Sequence, residues 1–247
     1  MTNPAPHQPP PSAPHPVLTA RGLTKAYGST HALAGVDLTI SAGESIAVMG
    51  PSGSGKTTLL HVLSGIIAPD AGTVVLSGAG GGDGLEVTAL DGEARARLRR
   101  ERLGFVFQEG LLLPELTAQE NVALPLMLNG TARRAAEATA REWLGTLGLA
   151  GMEERRPGAL SGGQRQRVAI ARAQAADPAV VFADEPTGAL DSDTSAAVLE
   201  SLIESTVSRG RTLVVVTHDS SVAARCSRLV LVRDGRIEAD DAAEARA

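Results

Sequence analysis

The chain has 247 residues, 43% of them apolar, and a formal net charge of −5. That supply of Leu, Val, Ile and Ala suffices for one α/β core or one core with an inserted lobe, and 27 glycines with 14 prolines are too few for a disordered or collagen-like chain. No apolar run approaches the ~18 residues of a membrane-crossing helix, and the acidic balance disfavours nucleic acid as a partner.

Residues 1–16 hold seven of the prolines, with no charged stretch leading into an apolar one. They are expected to form a disordered Pro-rich tail rather than a signal peptide. From Val17 to about Ile237 the sequence reads as one folded domain. Short β-like runs broken by glycine come first, VLTARGLTKAYG, LAGVDLTI and ESIAVMG, the last a strand over Ile46 to Met49 that ends at Gly50. KTTLLHVLSGI then places Leu59, Leu60, Val62 and Leu63 on one helical face, with Pro69 beyond its end. TVVLSG is strand-like and leads into a glycine-rich surface loop at 78–84.

Residues 93–103 predict a basic helix carrying Arg95, Arg97, Arg99, Arg100 and Arg102. A solvated face is the first reading and contact with phosphate or lipid the second. GFVFQ is a short strand, and a helical lobe follows over about 109–165. From 161 helices and strands alternate, and the continuous runs AVVFA and TLVVV suit parallel strands covered on both faces. Residues 238–247 are expected to be a flexible acidic tail. The single Cys226 allows no internal disulfide and points to a reducing compartment.

Three motifs carry chemistry. GPSGSGKTT at 50–58 fits GxxxxGK[ST] between a strand and a helix: Gly50, Gly53 and Gly55, with Pro51, Ser52 and Ser54 between them, let the backbone curl so that N–H groups turn inward on phosphate oxygens at a helix N-terminus. Lys56, one of only two lysines, adds a mobile charge, and Thr57, followed by Thr58, offers a hydroxyl to Mg²⁺. AVVFADEPT ends an apolar strand in Asp184, placed to hold that metal, and Glu185, placed to polarise a water. LSGGQ puts Ser161, Gly162, Gly163 and Gln164 before an amphipathic helix, a second anion site. Two half-sites on one chain suggest a head-to-tail homodimer in which each copy closes the other's nucleotide.

The ordered set of Tyr27 in KAYG, the Gly50–Thr58 loop, Gln108 in GFVFQ, LSGGQ, Asp184–Glu185, GALD at 188–191 and His218 in VVVTHD resembles the ATP-binding cassette (ABC) ATPases over nearly the whole span. The resemblance implies an α/β P-loop NTPase (RecA-like) core with an N-terminal antiparallel β subdomain and an inserted helical subdomain. It implies that Tyr27 stacks on adenine and that Gln108 reaches Mg²⁺ and the attacking water. It also implies that Glu185 is the base, Asp191 communicates across the dimer and His218 contacts the γ-phosphate. LGFVFQEGLLLPELTAQENVALPLML is similar to the lipoprotein-release and macrolide-efflux group (the LolD/MacB type), while Ile66, Ile67 and Gln174 depart from its usual residues.

The expected function is therefore ATP hydrolysis coupled to conformational change in a membrane permease, an FtsX/MacB-like separate chain, at the cytoplasmic face of the membrane. ATP and Mg²⁺ are the implied cofactors. The alternative is an FtsE-like mechanotransmitter, in which the partner switches an extracellular enzyme and carries no substrate.

Overall fold

The computed structural model describes residues 15–77, 84–108 and 110–242. The expected tail up to residue 14, the glycine-rich loop at 78–83 and residues 243–247 lie outside the described residues. β1 (Pro16–Tyr27) and β2 (Thr30–Ser41) form a hairpin, followed by β3 (Ser45–Met49), α1 (Lys56–Leu63), β4 (Ala71–Leu76) and β5 (Leu85–Glu86). α2 (Gly92–Arg102) runs into β6 (Leu103–Phe107), after which come α3 (Ala118–Leu128), α4 (Arg133–Thr146) and α5 (Gly162–Gln174). The remainder alternates as β7 (Val180–Asp184), α6 (Ser192–Thr206), β8 (Thr212–Val216), α7 (Ser220–Ala223), β9 (Arg228–Arg233) and β10 (Arg236–Ala242).

Two sheets result. The smaller, ordered β2-β1-β4-β5, is antiparallel, as the resemblance implied for the N-terminal subdomain. The larger, ordered β10-β9-β3-β8-β7-β6, is parallel except at the edge strand β10.

Its inner strands β3, β7 and β8 are apolar over nearly their whole length because both faces are covered. Ile46, Val48, Phe182, Val214 and Val216 face the core shared with α1 and the smaller sheet. Ala47, Val181, Ala183, Leu213 and Val215 face the core built by the later helices. Period-two alternation thus distributes one apolar run between two cores.

The helical lobe is ordered by local caps and one buried amide. Thr117 and Glu120 close a capping box at α3. α4 buries Ala136, Ala140 and Leu144 at four-residue spacing. Asn121, wholly buried, donates to the carbonyls of Leu113, Leu116 and Thr117 and accepts the Leu113 N–H at 2.8 Å. Arg209, beyond α6, lies 4.2 Å from the centroid of the Trp143 ring on α4, a cation–π contact joining lobe and core.

Three expected boundaries move. The lobe was placed to end near 165, but α5 is one helix from Gly162 to Gln174 and crosses that point. His15 and Pro16, assigned to the tail, are ordered: the His15 carbonyl accepts the Ala42 N–H at 3.0 Å and Pro16 opens β1. The acidic tail assigned to 238–247 is a strand as far as Ala242, paired to β9. There Arg228 grips both Asp240 oxygens at 2.6 Å, so these acidic side chains serve an edge strand whose charges are matched.

Gln174, one of the departures noted in the sequence, is buried and donates to Thr206 Oγ1 at 2.6 Å and Ser205 Oγ at 3.4 Å, tying α5 to α6. Gln174→Ala is expected to lower unfolding stability by about 1–3 kcal/mol through a cavity and lost hydrogen bonds. A denaturant midpoint unchanged from the parent would show that this knot contributes nothing.

Candidate functional site

The site follows from strand order. Val48 of β3 pairs with Val216 of β8, Val216 with Asp184 of β7, and Asp184 with Phe107 of β6. These residues lie level across four adjacent parallel strands. The chain leaving each strand therefore delivers Gly50, His218, Glu185 and Gln108 to one edge, the carboxyl ends where open α/β sheets bind ligands.

Gly50–Thr58 wraps from β3 into α1. Gly50 (φ 151°) and Gly55 (φ 103°) are required by packing as well as by backbone conformation: a Cβ would stand 2.0 Å from the Val232 carbonyl oxygen at the first and 2.1 Å from that of Ala32 at the second. Gly55 gives α1 no side-chain cap, so the first-turn N–H groups look into the loop. Lys56 is largely buried and its Nζ donates to the carbonyls of Gly50 and Pro51, both at 2.9 Å. Ser54 Oγ is buried without a hydrogen-bond partner. An uncapped helix start, a buried cation and an orphan hydroxyl in one loop fit a phosphate chain.

Thr57 Oγ1 lies 3.4 Å from Asp184 Oδ1. Burial pushes the Asp184 carboxyl above its usual range, opposed by His61 and by the Thr57 hydroxyl, and a cation between the two oxygens would relieve that cost. Among the described residues no cluster of three or more His, Cys, Asp or Glu could hold a metal. A Thr–Asp pair suits a cation that takes its other ligands from phosphate and water, as Mg²⁺ does.

Glu185 has φ 47°, a left-handed conformation rare for a residue with a side chain. Its N–H donates to the Val216 carbonyl at 2.9 Å, which holds the turn, and its Oε1 meets His218 Nδ1 at 2.8 Å. That hydrogen bond and the carboxylate charge raise the His218 pKa above its ordinary value. Because the folded value is the raised one, the attraction is complete below the ordinary imidazole pKa and is lost as pH rises through the raised value. In Glu185→Gln the His218 midpoint is expected to fall, followed by NMR of the five histidines with His218→Gln for assignment. An unmoved midpoint would remove Glu185 as the cause.

Gln108 is exposed at the end of β6, beside Gly188: a Cβ on Gly188 would stand 3.0 Å from Gln108 Nε2. Gln108 thus reaches the loop that follows Glu185.

Ser161–Gln164 lies elsewhere. No hydrogen bond among the described residues joins it to the Gly50–Thr58 loop. Ser161 caps α5, its Oγ accepting the Gln164 N–H at 3.3 Å while Gln164 Oε1 accepts the Ser161 N–H at 2.9 Å. Gly163 is buried. A Cβ there would meet Thr194 Cγ2 at 2.4 Å, so this glycine lets α6 approach. Asp191 caps α6 by accepting the Thr194 N–H at 3.0 Å, which holds its carboxyl below the usual range.

Tyr27 ends β1 with its side chain half exposed. Asp70 was not anticipated. It pairs with Lys25 at 2.8 Å across a 45-residue separation that no local pattern marks.

A groove of about 420 Å³ opens beside Phe107, the residue that precedes Gln108. Ile66, Phe105 and Pro125 line it together with Arg99, Arg100 and Arg172. The guanidiniums donate to Gly65 O, Asn129 Oδ1, and the Gly110 and Leu111 carbonyls, all neutral acceptors. α2 is thus more than the solvated face expected of it, since Arg99 and Arg100 bridge to neighbouring segments. No helix among the described residues is long and apolar enough to cross a membrane.

The profile of the ABC transporter family matches residues 33–188. The chain is 46% identical over 228 residues to the lipoprotein-releasing system ATP-binding protein LolD of Geobacter metallireducens, covering 91% of this chain and 99% of that one. It is 46% identical over 229 residues to the macrolide export ATP-binding/permease protein MacB 1/2 of Paracoccus denitrificans, covering 91% of this chain and 33% of that one. Among solved structures, the ATP-binding cassette MJ0796, a dimer in a post-hydrolysis state bound to ADP and Pi, matches with a TM-score of 0.82 and 38% identity, covering 92% of this chain and 98% of that one.

Proposed function

This chain belongs to the ABC transporter family as a LolD/MacB-like ATP-binding subunit that hydrolyses ATP, and on that premise we propose that two copies enclose two Mg-ATP head to tail and drive a separate membrane permease. The observation that carries this reading is the alignment of Lys56, the Thr57–Asp184 pair, the Glu185–His218 pair and Gln108 along one sheet edge.

Gly50–Thr58 backbone N–H groups and the Lys56 ammonium bind the phosphates, and Tyr27 stacks on adenine. Thr57, Asp184 and Gln108 would hold Mg²⁺, which neutralises charge developing on the phosphoryl oxygens. The Glu185 carboxylate accepts a proton from the water that attacks the γ-phosphorus, and ADP departs as the bond to the β,γ-bridging oxygen breaks. His218 fixes Glu185 Oε1 and faces the γ-phosphate, while Gln108 orients the water. Ser161, Gly162, Gly163 and Gln164 of the second copy close the nucleotide from the other side and exclude solvent, with Asp191 relaying between copies.

The groove beside Gln108 is the surface on which an FtsX/MacB-like permease is read to dock, its apolar lining and guanidiniums receiving a segment of that partner. The ATPase then sits peripherally on the cytoplasmic face. Ser161→Arg tests the head-to-tail arrangement: a single copy should still bind ATP through its own loop, but ATP-dependent dimers and turnover should be lost. Normal turnover by this variant would exclude a closing role for Ser161. Co-purification of one membrane protein with the chain from detergent-solubilised membranes, weakened by Arg100→Glu, tests the docking surface.

A further inference from the structure

β4 accompanies β1 only as far as Thr24, which pairs with Ala71. Beyond that point the last residues of β1 have no strand on this side, at the end that presents Tyr27. Asp70, the residue before β4, takes over the edge. Its backbone N–H donates to the Thr24 carbonyl at 2.8 Å. Its Oδ2 accepts the Ala26 N–H at 2.7 Å and its Oδ1 accepts from Lys25 Nζ at 2.8 Å. The Lys25 ammonium so held lies 5.9 Å from the centroid of the Tyr27 ring, within cation–π range. One carboxylate therefore stands in for the missing strand and anchors both residues that precede the exposed aromatic. Lys25 and the Ala26 amide keep that carboxyl below its usual range, so the clip stays charged near neutrality.

We propose that Asp70 is a positioning residue for the nucleotide base, clipping the end of β1 so that Tyr27 offers its ring face to the adenine; this rests on Tyr27 being the base-stacking residue. No hydrogen bond among the described residues ties the Asp70 side chain to the Gly50–Thr58 loop. The clip acts on the base and leaves the phosphates to their own cradle.

Tripolyphosphate, which occupies a phosphate cradle without a base, separates the two. Asp70→Ala is expected to weaken ATP binding and raise KM by about three- to tenfold, with kcat at saturation within about twofold. Tripolyphosphate affinity should be unchanged. Tyr27→Ala should weaken ATP at least as much, and adding Asp70→Ala to it should cost nothing more. Asp70→Asn, which keeps an acceptor for the Ala26 N–H but releases Lys25, should fall between parent and Asp70→Ala.

Tyr27 is the only tyrosine in the chain, so ring-labelled tyrosine gives a single NMR signal whose ATP-induced shift should shrink in Asp70→Ala. Equal losses for ATP and tripolyphosphate would mean general damage and overturn the proposal, as would additive effects of the two substitutions. If Tyr27→Ala leaves ATP affinity intact, the stacking reading itself falls. If Tyr27→Ala weakens ATP but Asp70→Ala does not, only the clip falls.

Discussion

Glu185→Gln is expected to slow ATP turnover by about 10²- to 10⁴-fold, the range of a lost general base, while ATP binding persists. The substitution keeps the side chain's length and its acceptor oxygen. It removes the charge that can take a proton from water. Because Glu185 makes no hydrogen bond to the Gly50–Thr58 loop, the phosphate cradle is left as it was. With binding retained and hydrolysis blocked, the proposed head-to-tail dimer should accumulate with ATP and be visible by size-exclusion chromatography. Single-turnover measurements separate the two effects, and turnover near the parent rate would remove Glu185 from the role of base.

Lys56→Ala is expected to weaken ATP binding by about 10- to 100-fold, the cost of losing a hydrogen bond to a charged group in a shielded site. The loop already surrounds this ammonium, which the Gly50 and Pro51 carbonyls hold between them. Lys56→Arg should recover little of the loss. A planar guanidinium is larger than the ammonium and cannot enter a pocket that leaves Lys56 only 9% exposed. Equilibrium binding of a fluorescent ATP analogue reads both variants, and parent-like affinity in Lys56→Ala would sink the assignment of the loop. These two substitutions move different quantities. Lys56 acts on ground-state and transition-state binding together, Glu185 on the chemical step alone.

Much of the fold was legible because its signals are local. Loop composition and spacing marked Gly50–Thr58, and the buried runs at 180–184 and 212–216 are strands β7 and β8. Ser161 and Asp191, read in the sequence for other roles, also cap helices α5 and α6. Other residue types carry packing beside the chemistry read from them. Gly163, read as part of an anion site at a helix start, also admits Thr194 through its missing Cβ. Asp240 looks like a solvated tail residue, yet both its oxygens are bound by Arg228 on the neighbouring strand. Phe105, Phe107 and Phe182 stack in one series across β6 and β7, which their sequence positions do not disclose.

By itself the sequence determined which chemical groups are present and the local frame of each: a phosphate loop opening a helix, an Asp-Glu pair ending a strand, a hydroxyl just before a helix. Those depend on neighbours within a few residues, where steric and hydrogen-bonding rules act directly. Only the tertiary structure decided which groups meet. His218 reaches Glu185 across 33 residues because β8 lies between β3 and β7, and Asp70 reaches Lys25 across 45 because β4 covers β1 only as far as Thr24, short of its end at Tyr27. Strand order and register are set by burying two apolar faces at once, a condition on the whole chain that no single segment encodes.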